Sequence, residues 1–422
     1  MTLALSQPLA LPCGVVLPNR LAKAAMSEGL ADLDNHATPR LQALYRRWAG
    51  SGVGLMLSGN IQVDRQHLER PNNIVVDDES GLAQLVALAA AGTSRGGQFW
   101  AQLSHTGRQV SSHINAAPLS SSDVEIDVAQ GLGRSFAKPR AMTEAEIERA
   151  IAQFAFAARQ VQKAGFTGLS LHAAHGYLIS QFLSPLSNRR VDRWGGSLEN
   201  RSRLLVAVIA AVRAAVGPGF PVGIKLNASD FQKGGFTNAE CIALVRTLND
   251  VGLDLLELSG GSLEQPKIAG ITLKDEGEDA PRPSTVAREA YFVAFAGEIR
   301  RAATMPVMVT GGFRTAGAMV QALEDGELDV VGIGRPMIVD PEAPGRLLSG
   351  QIDRLPSVEA RLNVFHLMPW HNMQIERLGD GLDPDLALAG ESALAEFIVL
   401  ESQNLKGLLA WRAAKLASAA LG

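Results

Sequence analysis

The sequence contains only two cysteines and no long apolar run. Cys13 and Cys241 lie far apart and outside any metal-binding motif, so a four-cysteine iron–sulfur cluster or a zinc ribbon cannot be built within this chain. The same scarcity fits a reducing cytoplasm better than a disulfide-stabilised scaffold. The longest apolar stretch, residues 204–212, is far too short to span a bilayer, so we expect no membrane partner.

The chain also has no large excess of positive or negative charge. The 422 residues carry a formal net charge of −4 and the pI is near 6.1, which leaves no broad basic surface for nucleic acid. The N-terminus lacks a basic segment followed by a long apolar one, so we do not expect a signal peptide. The remaining composition, 46% hydrophobic and 19% charged, is typical of a globular protein with a large core. Together these features predict a soluble, cytoplasmic protein.

Short apolar runs alternate with helical patterns over most of the chain. The runs are apolar on both faces, as in strands buried between helices, and a capping box of Thr143 and Glu146 begins one of the helices. Strands are expected at residues 21–25, 53–59, 98–103, 168–172, 221–227, 254–258, 305–310 and 329–333. Helices are expected at residues 39–50, 81–92, 143–164, 198–216, 238–251, 284–302 and 316–324. This alternation predicts the α/β class and a closed (β/α)8 TIM barrel.

Segments outside the repeats extend this barrel at both ends. The first 18 residues are apolar and interrupted by prolines, and we expect them to form an N-terminal cap. Beyond residue 335 the pattern is helical, with a linker expected at residues 347–356 and helices at residues 358–378 and 393–421. We therefore assign the barrel with its cap to residues 1–350. The extra C-terminal helices, residues 351–422, are expected to pack on the barrel or on a partner subunit of a homo-oligomer.

Polar residues stand at the carboxyl ends of the predicted strands, which is where this fold keeps its chemistry. Because residues i and i+2 of a strand point to the same side, Gln102, His172 and Lys225 are expected to face the barrel interior. We therefore expect these three side chains to converge on one pocket. Ser27 and Asn60, at the ends of the first two strands, would complete it.

His172, His175 and Tyr177 follow the fourth strand within six positions. The two histidines could bind a metal in a hydrolase, although a catalytic zinc site usually needs a third protein ligand and no carboxylate lies close by in the sequence. They could instead donate two hydrogen bonds to one substrate oxygen, with Tyr177 as a proton donor. We favour the second interpretation and expect no metal.

Lys225 has two possible roles inside the barrel. It could form a Schiff base with a carbonyl substrate, as in aldolase-type lyases. It could equally serve as a fixed positive charge beside an anionic ring or a phosphate. The direction of its side chain does not distinguish the two roles.

Glycine-rich segments follow the last two predicted strands. Gly311 and Gly312 come directly after one strand, and Gly334 and Arg335 after the other. Glycines allow backbone N–H groups to approach an anion closely, and an arginine supplies a bidentate clamp. Phosphate sites in this fold often use the loops after strands seven and eight. These four residues therefore predict a phosphate site, in preference to two ordinary tight turns.

The pocket residues lie in longer motifs: NR leading to AAMS at 19–27, AQLSHTGR at 101–108, HAAHGY at 172–177, QFLSPLSN at 181–188, RWGGSLENR at 193–201 and GIGR at 332–335. Together these motifs resemble those of the old yellow enzyme family, the FMN-dependent NAD(P)H:alkene oxidoreductases. The resemblance extends from about residue 18 to residue 341, which is nearly the whole barrel. Its combination of motifs is far more specific than any one of them.

The resemblance implies a set of residues that bind FMN. One face of the flavin would lie on Ala24, Ala25, Met26 and Ser27. Gln102 would bond to the pyrimidine edge, and Lys225 would place positive charge near N1 and the C2 carbonyl. Asn60 stands where the family often has a small residue, and would narrow the pocket or add a hydrogen bond to the ring. The phosphate would be held by Gly311, Gly312, Gly334 and Arg335.

The resemblance also implies an ene-reductase. His172 and His175 would grip the carbonyl or nitro oxygen of an activated alkene, hydride would pass from flavin N5 to the β-carbon, and Tyr177 would protonate the α-carbon. NADH or NADPH would first reduce the flavin in the same pocket, which gives ping-pong turnover, and quinones are a further substrate class. The family often has arginine where Lys225 stands, and lysine keeps the charge but lacks the planar fork.

Overall fold

The fold is described from a computed structural model that covers residues 3–127, 135–266, 274–276 and 293–421. Within these ranges the strands are β1 (Leu9–Ala10), β2 (Val16–Leu17), β3 (Leu21–Lys23), β4 (Leu55–Gln62), β5 (Ile74–Val75), β6 (Gln98–Ser104), β7 (Leu119–Ser120), β8 (Arg140–Ala141), β9 (Gly168–Ala173), β10 (Val222–Asn227), β11 (Leu255–Ser259), β12 (Val307–Thr310) and β13 (Val330–Ile333). The helices are α1 (Pro39–Ala49), α2 (Leu82–Gly92), α3 (Glu144–Lys163), α4 (Leu178–Leu183), α5 (Leu198–Val216), α6 (Asn238–Leu248), α7 (Val293–Ala302), α8 (Ala316–Glu324), α9 (Pro336–Val339), α10 (Ala343–Leu348), α11 (Val364–Gly379) and α12 (Gly390–Leu421).

Eight of these strands form a closed parallel barrel. Their order around it is β3, β4, β6, β9, β10, β11, β12 and β13. The barrel closes because β13 pairs with β3 through Val331 and Leu21, and β3 pairs with β4 through Ala22 and Leu55. Each of the eight predicted strands overlaps its observed counterpart. The predicted (β/α)8 fold is therefore confirmed. The β1–β2 hairpin precedes the first barrel strand, as expected for an N-terminal cap.

Alternate residues of the barrel strands belong to different cores. Trp100 packs inside the barrel in one cluster with Leu57, Leu255 and Met308. The large indole fits there because the neighbouring residue is Gly168. A Cβ at that position would lie only 2.5 Å from the indole nitrogen. The outward-facing residues of β9 and β10 belong instead to the core under the helices; they are Leu169, Leu171, Ile224 and Leu226. This division confirms the side-chain directions predicted from the period-2 pattern.

The helices of the barrel largely have their predicted bounds. The hydroxyl of Thr143 accepts from the backbone N–H of Glu146, whose side chain accepts from Thr143 in return, so the predicted capping box is present. The part of the predicted helix 284–302 that precedes Val293 lies outside the described residues. The predicted linker, residues 347–356, is wrong at its start, because α10 begins at Ala343 and continues to Leu348.

The two long C-terminal helices contact the barrel around the buried Arg70. Its guanidinium group ion-pairs with Glu401 of α12 at 2.8 Å and donates to Asn372 Oδ1 of α11 at 2.5 Å. It also donates to the backbone carbonyl of Glu28 at 3.3 Å. Arg70 therefore links these helices to the segment that directly follows β3. In the described part of the chain, none of the helices has the length and apolar character needed to cross a membrane.

Candidate functional site

A cavity lies at the carboxyl ends of the barrel strands. Nine of the residues that line it were predicted from the sequence: Ala25, Met26, Ser27, Asn60, Gln102, His172, His175, Tyr177 and Lys225. The tenth, Glu69, was not predicted. Parallel strands bring these residues together because their carboxyl ends meet at one rim of the barrel.

Four polar side chains form a hydrogen-bonded chain along the cavity wall. Gln102 Nε2 donates to Asn60 Oδ1 at 2.7 Å, and Asn60 Nδ2 donates to Glu69 Oε2 at 2.8 Å. The Ser27 hydroxyl donates to the same carboxylate oxygen at 2.5 Å. Gln102 Oε1 is buried and has no partner among the described residues. Because a buried acceptor left without a donor is costly, this atom is suited to an N–H group of a bound molecule.

The two histidines bring one nitrogen each to a common point. His172 Nδ1 accepts from the backbone N–H of Ala174 at 3.3 Å, which places the proton of the neutral ring on Nε2. His175 Nδ1 lies 3.3 Å from that Nε2. His175 Nε2 lies 2.7 Å from the hydroxyl of Ser259. In the contact between the rings one nitrogen must accept, so His175 Nδ1 accepts from His172 Nε2 here. When an oxygen atom binds between the rings and the Ser259 hydroxyl donates to His175 Nε2, His175 carries its proton on Nδ1 and both rings present an N–H group to that oxygen.

Burial keeps both rings neutral. It lowers the pKa of His172 well below its ordinary value, and the neighbouring His175 and the charge of Lys225 lower it further. Burial and then Lys225 lower the pKa of His175 to about 3. The backbone of His175 has a φ of 59°, in the left-handed region, and is held there by hydrogen bonds with Asn227 Oδ1 at 3.2 Å and Gln109 Nε2 at 2.8 Å. Strain that neighbours support in this way is typical of a functional position.

Tyr177 completes the wall that the histidines form. Its ring meets the ring of His172 edge to face, with 4.7 Å between the ring centroids. Its backbone N–H donates to the carbonyl of Ala174 at 3.2 Å, and α4 begins directly after it. A phenol beside two neutral imidazoles can supply a proton to a substrate that the imidazoles hold.

Lys225, which lines the cavity, forms a buried ion pair. Its Nζ lies 3.1 Å from Glu257 Oε1, and the two residues are register partners on β10 and β11. The hydroxyl of Thr310, at the end of β12, donates to the same oxygen at 2.6 Å. The carboxylate stabilises the ammonium form, whereas a Schiff base requires a neutral amine. The pair therefore favours a fixed positive charge at Lys225 over a covalent role.

The predicted phosphate residues lie beside the cavity but do not line it. Gly311 and Gly312 both have positive φ values, 112° and 86°, which a residue with a side chain rarely adopts. Arg335 Nε lies 3.2 Å from a carboxylate oxygen of Glu359, and Arg314 is hydrogen-bonded to the same oxygen. Burial alone would raise the pKa of Glu359, but the two guanidinium groups lower it to about 2. Two arginines that share one carboxylate leave net positive charge for an anion.

Two further cofactor residues of the prediction lie near this end of the cavity. A Cβ on Gly334 would lie 3.4 Å from the sulfur of Met26, so the glycine at the end of β13 is adjacent to the cavity wall. Ala24 is buried, and its backbone N–H donates to the carbonyl of Ile333 at 2.8 Å. These contacts join the predicted phosphate loop to the strand that precedes Ser27.

A group of residues outside the histidine pair has the spacing of possible metal ligands. Among the described residues, Asp64, His67 and His105 have ligand atoms that lie within 4.8 Å of one another. However, His67 Nε2 accepts from the backbone N–H of Leu119 at 3.1 Å, and His105 Nδ1 accepts from that of Gly107 at 3.0 Å. The nitrogens that face Asp64 therefore carry protons and have no lone pair for a metal. We interpret this group as structural.

Three residues of the site were missed by the sequence analysis. Glu257 and Ser259 share the interior face of β11 with Leu255, so the period-2 test would have found them had it been applied to that strand. Glu69 lies in the loop between β4 and β5, where no periodicity indicates a direction. No sequence signal could have placed it in the cavity.

The residues present fit a flavin mononucleotide. The pyrimidine edge of a flavin carries one N–H donor between two carbonyl acceptors, and the unpartnered Gln102 Oε1 supplies the acceptor for that donor. Lys225 supplies positive charge at the cavity wall. Gly311, Gly312 and the two arginines supply backbone donors and charge for a phosphate.

Comparison with known proteins agrees with this fit. The sequence profile of the NADH:flavin oxidoreductase / NADH oxidase family matches residues 4–353. The chain is 36% identical over 354 residues to the NADH-dependent flavin oxidoreductase iliE of Neonectria sp. (strain DH2). This match covers 80% of this chain and 46% of that protein, so the chain spans about half the length of this relative. It is 35% identical over 381 residues to the NADH-dependent flavin oxidoreductase nadA of Aspergillus parasiticus, covering 87% of this chain and 83% of nadA. The solved old yellow enzyme homologue from Zymomonas mobilis superposes with a TM-score of 0.70 and 26% identity, covering 84% of this chain and 95% of that one.

Proposed function

Because the chain belongs to the NADH:flavin oxidoreductase / NADH oxidase family, the old yellow enzyme family indicated by its motifs, we propose that it reduces activated alkenes. Membership makes it an oxidoreductase with FMN as cofactor and NADH or NADPH as reductant. The proposed substrates are α,β-unsaturated carbonyl compounds, nitroalkenes and quinones. One observation carries this proposal: His172 Nε2 and His175 Nδ1 lie 3.3 Å apart in the cavity that Tyr177 also lines.

The two imidazoles bind and polarise the substrate. Their N–H groups are close enough together to donate to a single carbonyl or nitro oxygen. Negative charge that develops on this oxygen is stabilised by two donors already in place, which is the usual basis of catalysis by a buried donor pair. Since both rings are neutral, they donate without adding a full positive charge to the site.

Tyr177 supplies the proton, and the barrel supplies the cofactor site. The phenol of Tyr177 would donate its proton to the α-carbon of the bound alkene. Gln102 Oε1 and Lys225 would hold the pyrimidine edge of FMN, and Gly311, Gly312, Gly334 and Arg335 its phosphate. When bound, FMN supplies hydride transfer from NAD(P)H to the β-carbon.

Anaerobic stopped-flow spectroscopy tests the proposed function. The FMN-loaded protein should be bleached by NADH or NADPH, and the bleached protein should be reoxidised by enones or nitroalkenes that are then recovered as saturated products. A protein that is bleached but reoxidised by none of the enones, nitroalkenes and quinones would contradict the proposed substrate class. A protein that stays colourless after FMN loading would contradict the cofactor site.

Replacing Arg335 by alanine should weaken FMN binding. A hydrogen bond to a charged group contributes about 1.5–3 kcal/mol, so we expect the dissociation constant of FMN to rise about 10- to 100-fold. Glu359 keeps Arg314 as a partner, so the substitution leaves no unpaired buried carboxylate. Quenching of FMN fluorescence during titration of the apoprotein measures the effect.

The matched control for that variant is Arg346→Ala, which removes an exposed arginine that ion-pairs with Asp340. Its FMN affinity should equal that of the unsubstituted protein. An Arg335→Ala protein that binds FMN as tightly as the control would remove Arg335 from the phosphate site.

Replacing Ser259 by alanine should disturb the tautomer of His175. Without the hydroxyl at 2.7 Å, His175 Nε2 loses its donor, and with an enone bound the ring no longer favours a proton on Nδ1. One hydrogen bond of about 1 kcal/mol corresponds to a rise of roughly fivefold in the KM for an enone. Nitrogen-15 NMR of histidine-labelled protein reports the tautomer directly, and Ser259→Thr should restore it. If His175 carries its proton on Nδ1 alone in both the original and the alanine protein, Ser259 does not orient it.

We also propose that the C-terminal helices, residues 351–422, support this site as an extension of the barrel, residues 1–350. The contacts of Arg70 with Glu401 and Asn372 support this division of roles, because the same guanidinium group binds the carbonyl of Glu28 next to Ser27. A cytoplasmic location and a homo-oligomer remain predictions from the sequence.

A further inference from the structure

Glu69 places a carboxylate in the cavity that the proposed mechanism does not use. It lies in the loop between β4 and β5 and lines the cavity. Its hydrogen-bond donors are two neutral groups, the Ser27 hydroxyl and the Asn60 amide. The adjacent cation, Arg70, is ion-paired with Glu401 at 2.8 Å.

The other charges near the cavity compensate each other. Lys225 is paired with Glu257 at 3.1 Å. On the outer side of β3, Lys23 is buried, and its pKa is lowered by burial to about 7 despite the opposing charge of Glu28. Among the described residues neither lysine forms an ion pair with Glu69. The cavity therefore has a net negative character on the wall formed by Ser27, Asn60 and Gln102.

The carboxylate also determines the direction of the hydrogen bonds on that wall. Because a carboxylate only accepts, Asn60 must turn its Nδ2 towards Glu69. Asn60 then presents Oδ1 to Gln102, which donates to it through Nε2 at 2.7 Å. The remaining amide atom of Gln102, Oε1, is buried and has no partner among the described residues. The donor order therefore begins at Glu69 and ends at the acceptor that suits a flavin N–H group.

We propose that Glu69 is a positioning residue for the flavin, and that it lowers the reduction potential of the bound cofactor. This inference rests on the proposed function, since it requires FMN in the cavity. Two effects act in the same direction. First, the carboxylate repels the negative charge that a reduced flavin gains. Second, it accepts the hydrogen bond of the Ser27 hydroxyl, which then cannot donate to the flavin ring.

The test is the midpoint potential of FMN bound to the Glu69→Gln protein. Glutamine has nearly the same shape, removes the charge, and can donate to Ser27 so that the hydroxyl is released towards the ring. We expect the affinity for reduced FMN relative to oxidised FMN to rise about tenfold, which is about 30 mV more positive for a two-electron couple. Equilibration with reference dyes under saturating FMN measures it, so weaker retention of the cofactor does not obscure the result.

Two further variants isolate the charge. Glu69→Asp keeps the carboxylate and should stay close to the original potential. Glu79→Gln removes an exposed carboxylate outside the cavity, with 65% of its side chain exposed, and should change nothing. An unchanged or more negative potential in Glu69→Gln, or an equal shift in Glu69→Asp, overturns the inference. Failure of the unsubstituted protein to bind FMN, or to be bleached by either nicotinamide, would instead overturn the proposed function.

Discussion

Tyr177→Phe should slow alkene reduction by about 10² to 10⁴-fold, the usual contribution of a positioned general acid. Phenylalanine keeps the aromatic ring that packs on His172 with 4.7 Å between the ring centroids, so the histidine pair should remain in place. The hydroxyl is the only group removed. Reduction of the bound FMN by NAD(P)H needs no proton from Tyr177 and should keep nearly its original rate. Stopped-flow measurement of the two half-reactions separates these effects.

The choice of oxidant provides an internal control for this variant. A quinone takes its protons on oxygen, which water can supply, whereas an alkene needs a proton on carbon. The Tyr177→Phe protein should therefore still be reoxidised by quinones at close to the original rate. Equal losses with enones and quinones, or an equal loss in both half-reactions, would show that Tyr177 orients the site instead of supplying the proton.

The fold was predictable because the barrel strands carry two regular signals. Their apolar runs are bounded by glycine, and alternation within each run separates inward from outward residues. Trp100 and Leu169 illustrate the second signal, since they belong to the interior and exterior cores respectively, as their positions indicated. Gln102 and Lys225 reached the cavity by the same rule, which depends only on local geometry.

The remaining site residues depend on contacts that a linear pattern does not encode. Glu69 reaches the cavity through an irregular loop, and its partners Ser27 and Asn60 are 42 and nine positions away. The contact between Arg70 and Glu401 joins residues 331 positions apart. Only packing of the whole chain determines such pairs. Helix α10 was missed for a simpler reason, because a segment of six residues is too short to show helical periodicity.

Replacing Lys225 by methionine should strongly destabilise the barrel interior. Methionine approximates the length of lysine but leaves Glu257 buried without its cation. Both side chains are nearly inaccessible, 4% and 2% exposed, so water cannot replace the lost partner. Breaking a buried ion pair from one side destabilises a protein by about 3–5 kcal/mol. We expect this loss in the apoprotein, measured as a lower midpoint of unfolding by urea.

Adding Glu257→Gln to the Lys225→Met protein tests whether the two side chains contribute to stability as a pair. The neutral amide can still accept from Thr310, whose hydroxyl lies 2.6 Å from Glu257 Oε1, and no charge remains buried. The double variant should therefore recover much of the stability that Lys225→Met alone loses, as expected for residues in direct contact. The control is Lys233→Met, which removes one side of an exposed pair with Asp275 at 3.9 Å and should alter stability by less than about 1 kcal/mol. Additive effects of Lys225→Met and Glu257→Gln would mean that the ammonium group balances some charge other than Glu257.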